Sequence, residues 1–404
     1  MDSVNNPYTP NAGARPDVVV GREEQTEAFE VLLKRLERGR TSQSLIVTGL
    51  RGVGKTVLLN ELREIAEERR WEVVDLEASK YDETFFRRTL ATKLKAALLR
   101  LSPRAKWSER FERAGSALSS FAISVDLAGS WSLGWNVPAA EGVADHGDLA
   151  MDLSDLFVEL GEAAKDVERG IVLSIDEVQF LKKDQLEALI QAIHKTVQRK
   201  LPFTFVGAGL PQIAELAGDA KSYAERLFKF PVIGSLDGED AFEAISGPAR
   251  IEGVAWDELA LKYAAATTKG YPYFIQELGY QAWETATGES IDLEAVKEAV
   301  DAYEAKLDSS FFRVRLDRAT QLQTAYMRAM AQLGPEPQKA ADVANVMGRD
   351  STQVAPTRAE LIDMGLLYTP EHGYAAFTVP DFDKYMMRAV PELIVPEVRR
   401  RRKN

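Results

Sequence analysis

The sequence contains no cysteine, and this absence excludes several kinds of site. Disulfide bonds and thiolate metal centres both need cysteine, so neither is present. Histidine is also scarce. The three residues His146, His194 and His372 are widely separated along the 404 residues, which disfavours a histidine-based metal site. A chain without disulfides is typical of a reducing compartment, and we expect it to be cytoplasmic.

Long apolar runs are lacking as well. No stretch approaches the roughly 20 apolar residues that a membrane-spanning helix requires, and the polar N-terminus lacks the features of a secretory signal. We therefore expect no membrane association. The hydrophobic content of 45% and the charged content of 28% are those of an ordinary globular protein. A length of 404 residues suggests two or three domains.

An overall positive charge is also lacking, since the formal net charge is −12. This balance argues against a surface that is basic all over and suited to nucleic acid. The charge is unevenly distributed, because the run Arg399 to Lys403 forms a basic tail within residues 391–404. Such a run is most often a solvated tail, and contact with nucleic acid or an acidic partner is the alternative.

The sequence does contain a phosphate-binding loop. Residues Gly49 to Thr56 match the pattern G-x-x-x-x-G-K-[ST] at every fixed position. An apolar strand precedes the loop at Ser44–Thr48, and an amphipathic helix follows it. A turn of this kind directs several backbone N–H groups and a helix N-terminus toward one point, which attracts phosphate. The loop therefore predicts binding of a nucleoside triphosphate, and the alternative is a glycine-rich turn without function.

Within this loop, two side chains have predicted roles of their own. Lys55 is expected to reach the β- and γ-phosphates, and the hydroxyl of Thr56 is expected to bind Mg²⁺. The other contacts to ATP are expected from the backbone. The predicted nucleotide-binding residues of the loop are Gly49, Leu50, Arg51, Gly52, Val53, Gly54, Lys55, Thr56 and Val57.

A second motif, Ile171–Glu177, is an apolar strand pattern that ends in two acids. Carboxylates at the carboxyl end of a strand, beside a phosphate loop, are well placed for metal and water. We expect Asp176 to hold Mg²⁺ through water and Glu177 to polarise the water that attacks the γ-phosphate. The alternative is that the two acids belong to a solvated loop.

The order of predicted elements outlines the domains. Strands alternate with helices over residues 16–236, which predicts an α/β core with a mostly parallel sheet. Alternating apolar residues in Phe121–Val137 predict a β-hairpin within an insertion at residues 103–150. Residues 1–15 are rich in Asn, Pro and Gly and predict a flexible lead-in. Residues 237–314 have only helical periodicity and predict an all-α domain.

The last predicted domain, residues 315–390, contains three helices and a hairpin, which together predict a winged helix. Pro356 suggests that its second helix begins nearer Val354 than Ser351. Binding of double-stranded DNA would rest on few residues, and acidic neighbours dilute their charge, so DNA and protein partners both remain open. The residues expected near the recognition helix are Arg349, Thr352, Gln353, Thr357 and Arg358.

Together these motifs resemble AAA+ ATPases of the origin-recognition and STAND-like branch, over most of the chain. The matching features are Val20-Gly21-Arg22, the Walker A motif Gly49–Thr56, the Walker B motif Ile171–Glu177, Gly207–Pro211, Arg226, Gly270–Pro272 and the C-terminal winged helix. The resemblance implies an ATPase core that is followed by a helical lid and a winged helix.

The resemblance also implies roles for residues outside the two Walker motifs. Val20 and Gly21 are expected near the adenine, and Pro272 is expected in a lid that closes over the nucleotide. Arg226 is expected to contact the γ-phosphate as an arginine finger, from the same or a neighbouring subunit. The alternative for Arg226 is an arginine that stabilises the C-terminus of its helix.

Two departures from the family pattern bear on the rate of hydrolysis. Gly207-Ala208-Gly209 stands where many AAA+ proteins have a polar sensor residue, and Gly270–Gln276 contains no arginine for a second sensor. Both departures suit the STAND-like branch, and we expect slow turnover.

The sequence thus predicts a Mg-dependent ATPase that acts as a molecular switch with a winged-helix output domain. Its expected catalytic residues are Glu177, Lys55 and Arg226. The alternative is a nucleotide-gated scaffold that binds DNA or protein with little or no hydrolysis. A homo-oligomer or another protein partner is left open, and a small-molecule kinase would not explain a winged helix.

Overall fold

The structure, a computed structural model, describes residues 1–80, 82–103, 106–123 and 137–397. The chain divides into two units, which we call the core unit and the C-terminal unit. The core unit comprises Gly21–Gly49 and Lys55–Ile233. The C-terminal unit comprises Met1–Val20, Leu50–Gly54 and Gly234–Asn404.

A five-stranded parallel sheet lies at the centre of the core unit. Its strands are β1 Ser44–Thr48, β2 Glu72–Glu77, β3 Ile171–Asp176, β4 Phe203–Gly209 and β5 Phe228–Lys229. They pair in the order β2-β3-β4-β1-β5, every pair parallel. Most of their residues are buried and apolar, as expected for a parallel sheet between helices. This sheet confirms the predicted α/β core.

One helix precedes the first strand, and the others lie between strands. They are α1 Glu23–Glu37, α2 Lys55–Glu68, α3 Glu83–Leu101, α4 Glu109–Ile123, α5 Leu149–Asp166, α6 Lys183–Gln198, α7 Ile213–Ala220 and α8 Ala224–Leu227. A short 3-10 turn, Val178–Phe180, follows β3. Asp82 and Asp148 cap α3 and α5, since each side chain accepts a hydrogen bond from a backbone N–H of the first turn.

Helix α4 packs against both α3 and α5, and a buried ion pair joins α3 to α5. Arg87 Nη1 donates to Asp152 Oδ2 over 2.7 Å, and both side chains are almost fully buried. The backbone N–H of His146 donates to the other oxygen of Asp152 over 2.8 Å. A buried carboxylate needs such partners, so these bonds fix the two helices relative to each other.

The expected β-hairpin does not begin at Phe121. Phe121 to Ile123 form the last turn of α4, and Phe121 is fully buried in the core. Helix α4 has a buried face of small and aromatic residues, and this packing outweighs the period-two pattern. The rest of the expected hairpin, residues 124–136, lies outside the described residues.

The C-terminal unit begins its main helical part at residue 238. Its first elements are α9 Gly238–Ile251, β6 Ala255–Trp256, α10 Glu258–Thr268, α11 Pro272–Thr285, β7 Ser290–Ile291, α12 Leu293–Lys306, the π-helix Leu307–Phe312 and α13 Arg313–Leu316. The strands β6 and β7 pair in parallel. The prediction of an all-α domain was therefore wrong in this detail, because two-residue strands are too short to show a period.

The expectation of a flexible lead-in at residues 1–15 is wrong for residues 1–9, because they pack along α9 and α11. Tyr8 is 1% exposed, and its hydroxyl donates to Ile245 O over 2.5 Å and accepts from Trp256 Nε1 over 2.9 Å. Its ring lies in space that a Cβ at Gly279 would occupy. The sequence did not predict this packing because the segment has no helical or strand periodicity and is ordered by tertiary contacts.

The remaining elements are α14 Gln321–Leu333, β8 Gln338–Lys339, α15 Ala340–Val346, α16 Ser351–Asp363, β9 Leu367–Tyr368, β10 Tyr374–Phe377 and α17 Phe382–Ala389. The strands form an antiparallel sheet in the order β8-β10-β9. Helix α16 begins at Ser351, not near Val354, because Asp350 and Gln353 form a capping box that fixes the earlier start. The basic run Arg399 to Lys403 lies outside the described residues.

Within the part of the chain that the structure describes, no helix is both long and apolar enough to cross a membrane.

Candidate functional site

The phosphate loop follows the carboxyl end of β1 and turns directly into α2. Gly52 and Gly54 have φ angles of +85° and +91°, which residues with a Cβ rarely adopt. Lys55 begins α2, and its Nζ donates to the carbonyl oxygen of Gly49 over 3.0 Å. The Lys55 side chain is only 6% exposed. The ammonium group is therefore held at the start of the loop, where the loop pattern predicts a phosphate.

The two predicted Mg²⁺ ligands lie together in the core unit. Thr56 Oγ1 donates to Asp176 Oδ2 over 2.6 Å, and Asp176 is the last residue of β3. A hydroxyl and one carboxylate suit Mg²⁺, which keeps several waters and takes other ligands from the phosphates. Among the described residues there is no group of three or more His, Asp or Glu side chains that could hold a metal ion. The donor set therefore fits a metal that arrives with a nucleotide.

Glu177 follows Asp176 in an uncommon backbone conformation. Its φ of +53° and ψ of +39° lie in the left-handed region, and its N–H donates to Asp176 Oδ1 over 2.7 Å. A residue other than glycine adopts this region at some energetic cost, and such residues cluster at functional sites. The carboxylate oxygen Oε2 of Glu177 accepts a hydrogen bond from Gln179 Nε2. The predicted base is thus oriented by its backbone and by a neighbouring amide.

The tip of the loop, Leu50–Gly54, belongs to the C-terminal unit and is hydrogen-bonded there. The backbone N–H of Tyr273 donates to Gly52 O over 3.1 Å, and the Tyr271 hydroxyl donates to Arg51 O. A Cβ on Gly52 would lie 3.1 Å from the Cβ of Tyr273. Glycine at this position therefore lets the loop tip approach the backbone at Tyr273 closely. Pro272 lies between these two tyrosines, as the first residue of α11.

Arg51 also bonds to the segment around β9 and β10. Its backbone N–H donates to Thr378 O over 3.1 Å, and its side-chain Nε donates to Gly365 O over 3.1 Å. The hydroxyl of Thr378 donates to the same Gly365 carbonyl over 2.8 Å. A Cβ on Gly365 would lie 2.5 Å from Arg51 Nη2. One residue of the loop is therefore tied to both ends of the C-terminal hairpin.

Arg315 brings a second guanidinium group to the loop tip. Its guanidinium carbon lies 4.1 Å from the centre of the Phe311 ring. Burial, together with the positive charge of Arg51, lowers the pKa of Arg315 to about 10. Burial also raises the pKa of Tyr271 above its ordinary range. At neutral pH Arg315 is therefore a poorly solvated cation and Tyr271 is a neutral hydrogen-bond donor.

Arg226 does not lie at the phosphate loop of its own core unit. It precedes β5, and its backbone carbonyl accepts from Gln43 Nε2 over 3.2 Å. Gln43 precedes β1, and Ser44 pairs with Phe228, so Arg226 lies beside the amino end of β1. The loop follows the carboxyl end of the same strand. Parallel strands keep these two edges of a sheet apart.

The other residues that are predicted to contact the nucleotide are Val20, Gly21 and Val57. Val20 belongs to the C-terminal unit and Gly21 to the core unit. Gly21 has a φ of +68°, and its carbonyl accepts from Arg22 Nη1 over 2.7 Å. Val57 lies in the first turn of α2. The roles of these residues toward a nucleotide stay predictions.

Two residues near the site carry no motif that singles them out in the sequence. Gln179 follows Walker B by two positions. This short spacing from Glu177 is the local signal from which a contact between the two side chains could have been predicted. Arg315 lies well beyond the Gly270–Gln276 segment, in which the family pattern places a second-sensor arginine. Neither contact follows from periodicity, because both depend on tertiary structure.

The order of these elements, a strand, a phosphate loop, a helix and a second strand that ends in two acids, invites comparison with known proteins. Residues 18–206 match the profile of the AAA ATPase domain. The AAA ATPase match spans β1, the loop, α2, β2 and β3. It supports an AAA+ P-loop ATPase core in this part of the chain. Residues 309–386 match a second profile, described as a domain of unknown function (DUF8462).

One solved structure supports the same fold. The Walker-type ATPase PABY2304 of Pyrococcus abyssi is similar with a TM-score of 0.56 and 15% identity, over 92% of this chain and 97% of that chain. The Orc1 protein of Aeropyrum pernix in complex with DNA has a TM-score of 0.45 and 15% identity, over 93% and 94%.

The RuvB Holliday junction branch migration motor of Thermotoga maritima has a TM-score of 0.47 and 16% identity, over 95% of this chain and 99% of that chain. At 15% identity the similarity to the Walker-type ATPase concerns the fold alone. No curated protein matches the sequence.

Proposed function

We propose that this chain is a Mg-dependent ATPase that works as a slow molecular switch. The observation that carries the proposal is the 2.6 Å hydrogen bond between Thr56 Oγ1 and Asp176 Oδ2. It joins the two residues that the Walker motifs assign to Mg²⁺, and Glu177 follows directly. In this proposal the backbone of Gly49–Val57 binds the phosphates, Lys55 pairs with the β- and γ-phosphates, and Val20 and Gly21 lie near the adenine.

Hydrolysis then depends on Glu177. Its carboxylate accepts a proton from the attacking water while the water oxygen bonds to the γ-phosphorus. The bond from that phosphorus to the β,γ-bridging oxygen breaks, so ADP and phosphate leave. Thr56 and Asp176 would hold Mg²⁺, which when bound neutralises charge on the phosphate oxygens. Lys55 adds a fixed positive charge at the same place.

We propose that Arg226 acts as an arginine finger on a neighbouring copy of the chain. Support comes from its position beside the amino end of β1, away from the loop of its own core unit. Its side chain is exposed, as a residue that serves another subunit requires. This role requires a homo-oligomer. An arginine suits the role because its positive charge stabilises the negative charge of the transferred phosphoryl group in the transition state.

The C-terminal unit supplies the proposed output. We propose that α14, α15 and α16 with the β9–β10 hairpin form a winged helix, with β8 as the third strand of its sheet. The bonds from Arg51 to Thr378 and Gly365 tie the loop tip to this hairpin. We propose that a phosphate in the loop changes these bonds and so alters the winged helix. Pro272, beside the two tyrosines that bond to the loop tip, would take part in the same response.

For the output domain, a protein partner is favoured over double-stranded DNA. Most residues predicted near the recognition helix are engaged within the chain. Arg358 Nη2 donates to Tyr374 O over 2.6 Å, Arg349 Nη2 donates to Pro396 O, and Gln353 caps α16. Thr357 is 5% exposed. Side chains that are already bonded or buried are poor candidates for phosphate and base contacts.

The second candidate function is a nucleotide-gated scaffold with little or no hydrolysis. One observation favours it: no polar side chain extends from Gly207–Gly209, where a sensor of the γ-phosphate would be expected. Release of phosphate by the purified chain, with binding of ATP measured in parallel, distinguishes the two candidates. Turnover that requires Mg²⁺ supports the ATPase, and tight binding without phosphate release supports the scaffold.

A further inference from the structure

We infer that Gln179 is a positioning residue that orients the carboxylate of Glu177 and connects it to the first residue of the phosphate loop. The inference rests on the proposed function, since it assigns Glu177 the role of the base. It adds a residue that neither Walker motif includes. The evidence is a chain of hydrogen bonds within the core unit, together with the space that the glycines of β4 leave for it.

The amide of Gln179 uses both of its ends. Its Nε2 donates to Oε2 of Glu177, and its Oε1 accepts from the backbone N–H of Leu210 over 3.0 Å. An ionised carboxylate only accepts and a backbone N–H only donates, so the two partners fix which end of the amide is oxygen and which is nitrogen. The Gln179 side chain is therefore a defined bridge between Walker B and the end of β4.

The bridge continues through one peptide group to the phosphate loop. The N–H of Leu210 and the C=O of Gly209 belong to the same peptide plane. That carbonyl accepts from the backbone N–H of Gly49, the first residue of the loop, over 3.1 Å. A shift of the loop at Gly49 therefore tilts the peptide that holds Gln179, and the amide in turn moves the Glu177 carboxylate.

The glycines at the end of β4 make room for this bridge. A Cβ on Gly209 would lie 2.8 Å from Gln179 Oε1, and a Cβ on Gly207 would lie 2.9 Å from Cγ2 of Val178. Larger residues at either position would push the turn Val178–Phe180 away from the strand. The absence of a polar side chain at Gly207–Gly209 is thus matched by a polar side chain, Gln179, that reaches the same place from the turn after Walker B.

A positioning role predicts a particular kinetic change. The Gln179 amide bonds to Glu177 and Leu210 rather than to the loop residues that are expected to bind phosphate, so its loss should affect the chemical step more than binding. Supporting residues of this kind typically change activity about 10- to 100-fold. We therefore expect kcat to fall by about this factor while KM and the Kd for ATP stay within about twofold.

The test uses the full chain and the variant Gln179→Met, which keeps the length of the side chain and removes both hydrogen bonds. Gln179→Glu is the second variant, because it keeps an acceptor for Leu210 but places a carboxylate against Glu177. Gln198→Ala, an exposed glutamine in the same unit, is the matched control. Gly209→Ala should reproduce the Gln179→Met defect, since its Cβ displaces the amide. Thermal unfolding of each variant shows whether the fold is kept.

The expected result is a reduced kcat in Gln179→Met and Gln179→Glu, with unchanged ATP affinity and an unaffected control. In the Glu177→Gln background, Gln179→Met should cause no further loss, because residues that act as one unit are not additive. A kcat within twofold of wild type, or an additive loss in the double variant, overturns the inference while the ATPase assignment stands. If the wild type itself has no turnover, the proposed function fails first and the inference fails with it.

Discussion

The hydroxyl of Thr56 donates to Oδ2 of Asp176 over 2.6 Å, although 120 positions separate the two residues in the chain. One belongs to the first turn of α2 and the other ends β3. The contact places the hydroxyl and the carboxylate where one Mg²⁺ could be bound by both, directly or through water. It also fixes the position of Glu177, whose N–H donates to the other oxygen of Asp176 over 2.7 Å.

We expect Asp176→Asn to weaken the binding of the Mg²⁺ that ATP turnover requires. The amide keeps the shape of the side chain but lacks the negative charge that holds the cation. The concentration of Mg²⁺ that gives half-maximal turnover should rise about tenfold or more. Asp184→Asn, in the first turn of α6, is the control and should behave as wild type. An unchanged Mg²⁺ requirement in Asp176→Asn would show that the cation is held elsewhere.

Arg226→Ala should abolish the part of turnover that depends on protein concentration. An arginine finger is worth about a thousandfold or more in rate, so its loss is readily seen in phosphate release. Arg199→Ala, an exposed arginine of the same unit, should retain that dependence. Binding of ATP by Arg226→Ala should stay close to that of wild type, since Arg226 lies away from its own loop.

Mixing two inactive variants tests the same claim without a rate comparison. Arg226→Ala keeps the base Glu177, and Glu177→Gln keeps the arginine. If the finger comes from a neighbour, a mixture contains sites that combine an intact Glu177 with an intact Arg226, and phosphate release returns. If the mixture stays inactive although the two variants associate, Arg226 does not act between subunits.

The C-terminal unit should show no salt-dependent binding to duplex DNA. Arg358 is bonded to Tyr374 O over 2.6 Å and to Thr369 Oγ1 over 3.3 Å, so its guanidinium group supports the hairpin. Arg358→Ala should lower the free energy of unfolding by about 1 to 3 kcal/mol, whereas the exposed Arg313→Ala should change it little. Duplex binding that weakens steeply with salt, and is lost in Arg358→Ala without loss of stability, would restore the DNA interpretation.

The two Walker motifs could be predicted because each is short and chemically constrained. In Walker A, the backbone angles of the turn require Gly52 and Gly54, and the charge of the phosphates requires Lys55. In Walker B, Asp176 and Glu177 follow an apolar strand and so mark its carboxyl end. A parallel sheet then brings the carboxyl ends of both strands to one edge. The Thr56–Asp176 contact therefore follows from local patterns and one topological rule.

The features that the sequence did not predict depend on contacts between distant residues. Tyr8 is ordered by Ile245 and Trp256, and the surrounding Asn, Pro and Gly gave no sign of it. The bond between Gln179 and Leu210 needs β4 to end beside Walker B. The prediction that the second helix of the last domain starts near Val354 was wrong. The capping box of Asp350 and Gln353 stabilises the first turn of α16, and Pro356 is tolerated in the second turn.

The most direct test of the central claim is ATP binding and phosphate release by wild type and Glu177→Gln, measured together on the same preparations. The exposed Glu215→Gln serves as the control. The account predicts slow phosphate release by wild type and by the control. It predicts that Glu177→Gln binds ATP about as tightly while releasing at least about 100-fold less phosphate. Equal phosphate release by wild type and Glu177→Gln would contradict the assignment of Glu177 as the catalytic base.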